Sequence, residues 1–180
     1  MLQITIPDID LFDDEKQEFI HLKGQTLQLE HSLVSLSKWE SKWHKAFLTK
    51  NEKTFEETID YIKCMTITQN VKPEIYKYLT VSNVDAVSTY INDSMTATWF
   101  PEDKSRRRST EAVTAELIYY WMIALQIPFE CQKWHLNRLL TLIQVCNVKN
   151  APPKKMSKRD RISQYAAINA ARRHQHNSRG

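Results

Sequence analysis

The stretch EAVTAELIYYWMIALQI, residues 111–127, carries the strongest helical pattern of the chain, and Pro128 separates it from FECQKWHLNRLLTLIQVC, residues 129–146. In the first segment, apolar residues recur three and four positions apart, as on one face of a helix: Val113, Leu117, Tyr120, Trp121 and Ala124. The second segment carries a broad apolar band of Trp134, Leu136, Leu139, Leu140 and Ile143. A proline ends a helix, and a short connection favours antiparallel neighbours. We therefore predict a helical hairpin at the centre of the core.

Apolar residues recur three and four positions apart, as on a helix, through most of residues 35–93. Ser37 and Glu40 have the spacing of a capping box, which predicts a helix with an apolar face of Leu36, Trp39, Trp43 and Phe47. A second helix is predicted from Thr54 to Gln69, with Phe55, Ile59, Ile62 and Met65 on its apolar stripe. Pro73 opens a short helix, and Ser82 caps another that buries Val84, Val87, Tyr90 and Ile91. Residues 94–108 break the periodicity and predict an exposed loop.

The first 33 residues have a different period. Residues 2–6 and 26–33 alternate polar and apolar side chains, which is typical of half-buried strands. The acidic segment between them ends at Gly24 and predicts a long connection with at most a helical turn. We predict a small N-terminal β element here.

The last thirty residues form a separate region. The two prolines in NAPPKKMS, residues 150–157, exclude a continuous helix and predict a spacer. A basic helix follows from Lys158 to Arg173, with few large apolar residues. The predicted fold is therefore mainly α, with the β element and acidic connection at 1–34, a helical body at 35–149, and the basic spacer and helix at 150–180.

The composition excludes several functional classes. The chain has 180 residues, of which 42% are hydrophobic, and only two are glycines, Gly24 and Gly180. A glycine-rich phosphate loop or dinucleotide fingerprint therefore has no place in it. Three widely spaced cysteines do not form a disulfide framework and favour a reducing compartment. The sequence has neither a secretory leader pattern at its start nor an uninterrupted apolar run of membrane-spanning length, so we expect no membrane association.

Charge is distributed unevenly along the chain. Residues 1–60 carry twelve acids and seven bases, a net of −5, whereas residues 151–180 carry eight bases and one acid, a net of +7. Opposite charges at the two ends predict attraction within one subunit, attraction between subunits, or binding of two separate partners.

The pair Cys131 and His135 is the best candidate for metal or nucleophilic chemistry, because residues four apart share a helix face. A tetrahedral zinc site needs two further ligands, and the sequence has no second ligand pair to supply them. A nucleophilic cysteine needs an orienting group and an oxyanion hole, for which there is no pattern either. We expect a core cysteine beside a hydrogen-bonded histidine, and neither enzymatic activity nor a cofactor nor a metal.

Binding surfaces are predicted instead. Core packing is predicted for most of the tryptophans at helical spacing, Trp39, Trp43, Trp121 and Trp134. An exposed pair such as Trp39 and Trp43 would instead anchor a protein partner, because aromatic side chains concentrate binding energy. Trp99 and Phe100 stand near Arg106, Arg107 and Arg108, which would suit stacking on bases beside phosphate contacts. We prefer a solvated basic face or an acidic protein partner for these residues, because the front of the chain is acidic and no nucleic-acid-binding motif is present. We also predict a protein partner for six basic residues of region 150–180: Lys154, Lys155, Lys158, Arg159, Arg172 and Arg173.

Several blocks of sequence together resemble a family of small proteins from long-tailed bacteriophages, the tail assembly chaperones. They are SLSKWESKWHKAFL at 35–48, MTATWF at 95–100, ELIYYWMIALQIPFECQKWHLNRLLTLIQVC at 116–146, and NAPPKKMSKRD with AAINAARR at 150–173. The resemblance extends over nearly the whole chain beyond residue 30, and no catalytic motif is part of it.

The resemblance implies a helper without enzymatic activity, acting in the host cytoplasm. Such a protein binds the tape measure protein and keeps its long apolar helix soluble until tail tube subunits polymerise around it. Some members are extended by ribosomal frameshifting, and this chain would correspond to the short product. Two alternatives stay open: a structural virion protein of the tail or head–tail junction, and a nucleic-acid-binding protein that uses the basic loop and tail.

Overall fold

The structure is a computed structural model that describes residues 1–13, 17–49, 51–100, 111–152 and 158–175. The chain divides into two compact units, Met1–Asn147 and Val148–Gly180, each of which is described by itself. The predicted class is confirmed, because the protein is mainly α with a small N-terminal antiparallel β element.

Four strands and six α-helices follow one another in the described residues. The strands are β1 (Leu2–Ile6), β2 (Ile9–Asp13), β3 (Glu18–Leu22) and β4 (Gln25–Leu29). The helices are α1 (Leu33–Trp43), α2 (Phe55–Met65), α3 (Val81–Asn92), α4 (Ala115–Ala124), α5 (Leu136–Asn150) and α6 (Lys158–Gln175). Two 3₁₀ helices, Pro73–Tyr78 and Phe129–Lys133, precede α3 and α5.

The strands form two antiparallel two-stranded sheets. β1 pairs with β4, from Leu2 opposite Leu29 to Ile6 opposite Gln25. β2 pairs with β3, so two strands lie where the sequence predicts a long connection, and residues 14–16 between them lie outside the described residues. The alternation predicted for 2–6 is confirmed: Ile4 and Ile6 are buried with Leu27 and Leu29, while the residues between them face solvent.

Gly24 is required where the ladder is interrupted between the two strand pairs. A Cβ atom at this position would collide with the carbonyl oxygen of Ile6 and the backbone of Pro7. Its N–H donates a 2.5 Å hydrogen bond to Asp8 Oδ1. Only glycine permits this close approach of the two strands.

The caps of α1 and α2 explain where these helices begin. Ser32, and not Ser37, caps α1, and it forms a reciprocal pair with Ser35: each backbone N–H is bonded to the other hydroxyl, at 2.9 and 3.3 Å. Thr54 and Glu57 form the corresponding pair at α2, at 2.8 and 3.2 Å. The predicted capping box at Ser37 and Glu40 is therefore wrong. The strand predicted for residues 26–33 ends at Leu29 in β4, and the cap of α1 follows at Ser32.

The core surrounds α1. Leu33, Leu36 and Trp39 are buried on this helix, which packs against α2, α4 and the second 3₁₀ helix. Ile62 and Met65 of α2 are buried as predicted, but Phe55 at its first position is exposed. α3 is capped by Thr80 rather than Ser82, and it buries Val87 and Tyr90 while Val84 and Ile91 are half-buried.

The face that α4 buries differs from the predicted one. Ala115, Ile118 and Met122 are buried, whereas Tyr120 and Ala124, expected inside, are exposed. The helix also begins later than predicted, with Thr114 as its cap. Because ELIYYWMIA is apolar on nearly every side, its periodicity does not define one inward face.

The predicted hairpin of two long helices is also wrong in its details. Phe129–Lys133 is a 3₁₀ helix, and α5 begins only at Leu136. Within the described residues, α4 packs most extensively against α1. Leu136, Leu139 and Ile143 of α5 are nevertheless buried, as the apolar band predicts.

The second unit contains the end of α5 and the whole of α6. The described side chains of α6 are exposed, including those of Ile162, Tyr165 and Ile168. Ser157, the residue before this helix, lies outside the described residues.

Candidate protein-binding surfaces

Cys131 and His135 do not share a helix face. Cys131 lies in the second 3₁₀ helix, and His135 lies between that helix and α5, so the spacing argument for an α-helix does not apply. Both side chains are buried. Burial raises the pKa of the Cys131 thiol, which disfavours the thiolate. Within the part of the chain that the structure describes, no cluster of three potential metal ligands occurs.

His135 instead belongs to a buried group of aromatic and imidazole rings. Its Nε2 atom lies 3.0 Å from the carbonyl oxygen of Tyr90, so Nε2 carries the proton and donates it. Its ring stands 5.1 Å from that of His31 and 4.9 Å from that of Tyr90, nearly edge-on in both cases. The other nitrogen, Nδ1, has no hydrogen-bond partner among the described residues.

His31 completes this group from the end of the strand region. Its Nδ1 atom lies 2.6 Å from the Tyr61 hydroxyl. Burial first, and then the neighbouring His135, lowers the pKa of His31 to about 3. The backbone of His31 accepts a 2.7 Å hydrogen bond from Leu136 N–H, which fixes the start of α5 against the start of α1. The group therefore joins the two helices, with His31 as a neutral part of the core.

Trp39 and Trp43 are not an exposed pair. Trp39 is 1% exposed and donates from Nε1 to the carbonyl oxygen of Glu57 at 2.9 Å. The prediction that it offers a binding surface is wrong, because its ring fills the space between α1 and α2. Trp43 is half-buried and donates from Nε1 to Asp60 at 2.9 Å, and the same carboxylate pairs with Lys42.

Trp99 is the most exposed of the described tryptophans, at 80%, and its neighbour Phe100 is half-buried. Both lie in an irregular segment after α3, in agreement with the predicted loop. Arg106, Arg107 and Arg108 lie outside the described residues, so their predicted proximity to Trp99 stays a prediction.

The predicted basic residues of the last region are only partly described. Arg159, Arg172 and Arg173 are exposed on α6. Lys158 begins the helix, but nothing is described of its side chain, while Lys154 and Lys155 lie outside the described residues. The exposed arginines and the exposed Tyr165 give this helix a mixed basic and apolar surface.

A surface that the sequence did not predict lies on α4 and the second 3₁₀ helix. Tyr120, Ile123 and Phe129 are 63%, 62% and 52% exposed, and Tyr119 is half-buried between them. Tyr119 and Ile123 are four apart on α4, and the rings of Tyr119 and Phe129 are 6.4 Å apart. We call these four residues, Tyr119, Tyr120, Ile123 and Phe129, the α4 surface.

A side-chain hydrogen bond fixes the α4 surface to the second 3₁₀ helix. The Tyr119 hydroxyl donates a 2.9 Å hydrogen bond to Gln132 Oε1, which ties α4 to the 3₁₀ helix. The exposed carboxyl groups of Glu116 and Glu130 lie in the same two helices. An apolar patch with acids nearby suits a partner that is apolar and basic. The one sequence signal for this surface is the apolar character of α4 on all sides, which leaves apolar side chains outside whichever face packs.

Comparisons of the chain with protein-family models, with curated proteins and with solved structures find no match. In the described residues, none of the helices has the length and apolar character needed to cross a membrane.

Proposed function

We propose that this protein is a tail assembly chaperone of a long-tailed bacteriophage. In this proposal it binds the tape measure protein in the host cytoplasm, keeps it soluble until the tail tube subunits assemble around it, and catalyses no reaction. The observation that carries the proposal is the α4 surface, where large apolar side chains face solvent on a helix anchored to the core.

The geometry of the α4 surface suits a helical partner. Tyr119 and Tyr120 lie side by side on one turn of α4 and Ile123 lies on the next, and such a ridge packs against the apolar stripe of another helix. The tape measure protein offers a long apolar helix of this kind, as the sequence resemblance implies. Contact with the α4 surface would remove apolar side chains of both partners from water.

The exposed arginines of α6 support a second contact. Arg159 and Arg172 are separate from the acidic N-terminal part of the chain in sequence and opposite to it in charge. We propose that they contribute to self-association, which would place several α4 surfaces along one tape measure helix. Multiple weak contacts on a single partner raise the overall affinity strongly.

Co-expression with the tape measure protein of the same phage tests the proposal. The soluble fraction of the tape measure protein is compared for the native chain and for Tyr120→Ser/Ile123→Ser. We expect the native chain to keep the tape measure protein soluble and the double variant to lose most of that effect. Phe55→Ser/Val81→Ser is the matched control, because it removes two equally exposed apolar side chains from other helices.

Three outcomes would contradict the proposal. If the control variant fails as badly as the α4 variant, the effect is a general loss of apolar surface and not binding through α4. If the tape measure protein is insoluble with the native chain, and the protein is found in purified particles at a fixed copy number, it is a structural virion component. Retention of DNA or RNA that falls steeply with salt would favour the nucleic-acid alternative.

A further inference from the structure

A cleft lies between α2 and α3, away from the residues of the α4 surface. Its volume is about 200 Å³. α3 lines one side with a helical stripe that includes Val84, Val87 and Ile91, and α2 lines the other with Tyr61. Phe47 and Lys53, from the segment that joins α1 to α2, complete the lining. The cleft is thus mainly apolar, with one cation.

The inner wall of the cleft is rigid and aromatic. The rings of Phe47 and Tyr61 are stacked with their centroids 3.8 Å apart, and both side chains are buried. The Tyr61 hydroxyl is already engaged by His31, so no polar group of the tyrosine is left in need of a partner. A wall of this kind accepts a flat or branched apolar group without rearrangement.

Lys53 supplies the one charge of the cleft. Its Nζ atom lies 4.3 Å from the centroid of the Phe47 ring, and the side chain is half-buried. Burial lowers the pKa of Lys53 below its ordinary value, which reports incomplete solvation of the ammonium group.

The neighbouring Glu57 raises the pKa of Lys53 through its charge but forms no salt bridge with it. The Glu57 carboxylate is occupied by Lys45, at 2.5 Å, and by the backbone N–H of Thr54, at 2.8 Å. Among the residues that the structure describes, none forms a salt bridge with Lys53. A half-buried cation beside an empty apolar space would be stabilised by an external carboxylate.

We propose that this cleft binds a small apolar monocarboxylate, with its apolar end against Phe47 and Tyr61 and its carboxylate on Lys53. The size follows from the volume: an apolar cavity of about 150 Å³ holds benzene, so this cleft takes an acid of about ten non-hydrogen atoms. A single cation selects one negative charge, and the apolar walls disfavour a second.

Phenylacetate has the required size and charge, and it is the probe for a calorimetric titration of the full chain. We expect a dissociation constant on the order of 0.1–1 mM. The neutral analogue phenylacetamide, of equal size, is expected to bind at least about fivefold more weakly, because its amide gains less from the ammonium group. Phenylethylamine, with the opposite charge, is expected not to bind.

Lys53→Met keeps the length and apolar character of the side chain but removes its charge. This variant is expected to lose about fivefold or more in affinity for phenylacetate and to bind phenylacetamide as the native chain does. Lys63→Met is the matched control, since Lys63 also lies over an aromatic ring, that of Tyr76 at 5.6 Å, but does not line the cleft. Ser88→Phe, at an exposed position of the lining, should block both ligands without disturbing the core.

Equal affinities of the native chain for phenylacetate and phenylacetamide would overturn the proposal, and would indicate a pocket for an uncharged apolar side chain of a protein partner. Binding of phenylacetate that survives both Lys53→Met and Ser88→Phe would place the acid elsewhere and overturn it as well. The absence of heat or chemical-shift change up to about 10 mM phenylacetate would end it directly.

Discussion

The carboxylate of Glu40 joins the end of α1 to the start of α4, because its Oε2 atom accepts a 2.7 Å hydrogen bond from the backbone N–H of Ala115. Its Oε1 atom accepts another, also of 2.7 Å, from the backbone N–H of Phe47. The side chain is buried, so both bonds replace water. One carboxylate therefore fixes α4 and the segment that carries Phe47, and with them the α4 surface and one wall of the cleft.

Glu40→Gln should lower the free energy of unfolding by about 2 kcal/mol. The amide keeps one acceptor oxygen, but its NH₂ group then faces a backbone N–H and loses that bond. Urea unfolding followed by tryptophan fluorescence measures the change. Glu52→Gln, at an exposed position, is the control and should stay within about 0.5 kcal/mol of the native chain. Equal stabilities of the two variants would contradict the role assigned to Glu40.

The free energy of unfolding should decrease at low pH, because His31 takes up a proton more readily in the unfolded chain than in the folded protein. Its pKa is about 3 in the folded protein and near 6.5 when unfolded, so the unfolded chain binds the extra proton between these values. Neutral His31 makes its full contribution to the free energy of unfolding above about pH 6.5. As the pH falls toward 3, the free energy of unfolding decreases by up to about 1.4 kcal/mol per pH unit. Urea midpoints measured between pH 7.5 and 4.5 test this.

His31→Gln is the comparison for the pH series. It removes the titrating group and keeps a polar partner for the Tyr61 hydroxyl, 2.6 Å from the imidazole nitrogen in the native chain. We expect the variant to be less stable at pH 7.5 but to have a shallower dependence on pH. The same slope in both proteins would mean that other groups cause the acid sensitivity.

The cysteines should differ in reactivity. Cys131 is buried and its thiol pKa is raised by that burial, whereas Cys146 is half-buried on α5. A thiol reagent at pH 8 should label Cys146 in the folded protein and Cys131 only after unfolding in urea. Cys131→Ser and Cys146→Ser identify the labelled site. Rapid labelling of Cys131 in the native state would show that the second 3₁₀ helix opens readily.

Removal of residues 151–180 should leave the unit Met1–Asn147 folded, because that unit is compact by itself. We expect the free energy of unfolding to change by less than about 0.5 kcal/mol, and self-association or binding of the tape measure protein to weaken. Thermal unfolding and sedimentation measure the two effects. A large loss of stability would instead make α6 part of the core.

Local patterns predicted those features that depend on neighbouring residues. The alternation of LQITI predicted β1, and the apolar spacing of 54–65 predicted α2 together with its buried Ile62 and Met65. The caps were harder to predict, because several serines and threonines precede each helix. Ser32 caps α1, and Glu40 instead accepts a hydrogen bond from the backbone N–H of the distant Ala115.

The sequence by itself determined the helical class of this protein, the β1 and β4 strands and most helix positions, because each follows from the spacing of apolar residues within about two turns. Only the tertiary structure decided which side of α4 is buried and that His31 meets His135. A helix that is apolar on all sides has no preferred face until its neighbours are in place. The buried face of α4 is the one that packs with α1, and Tyr120, Ile123 and Phe129 are therefore exposed to solvent.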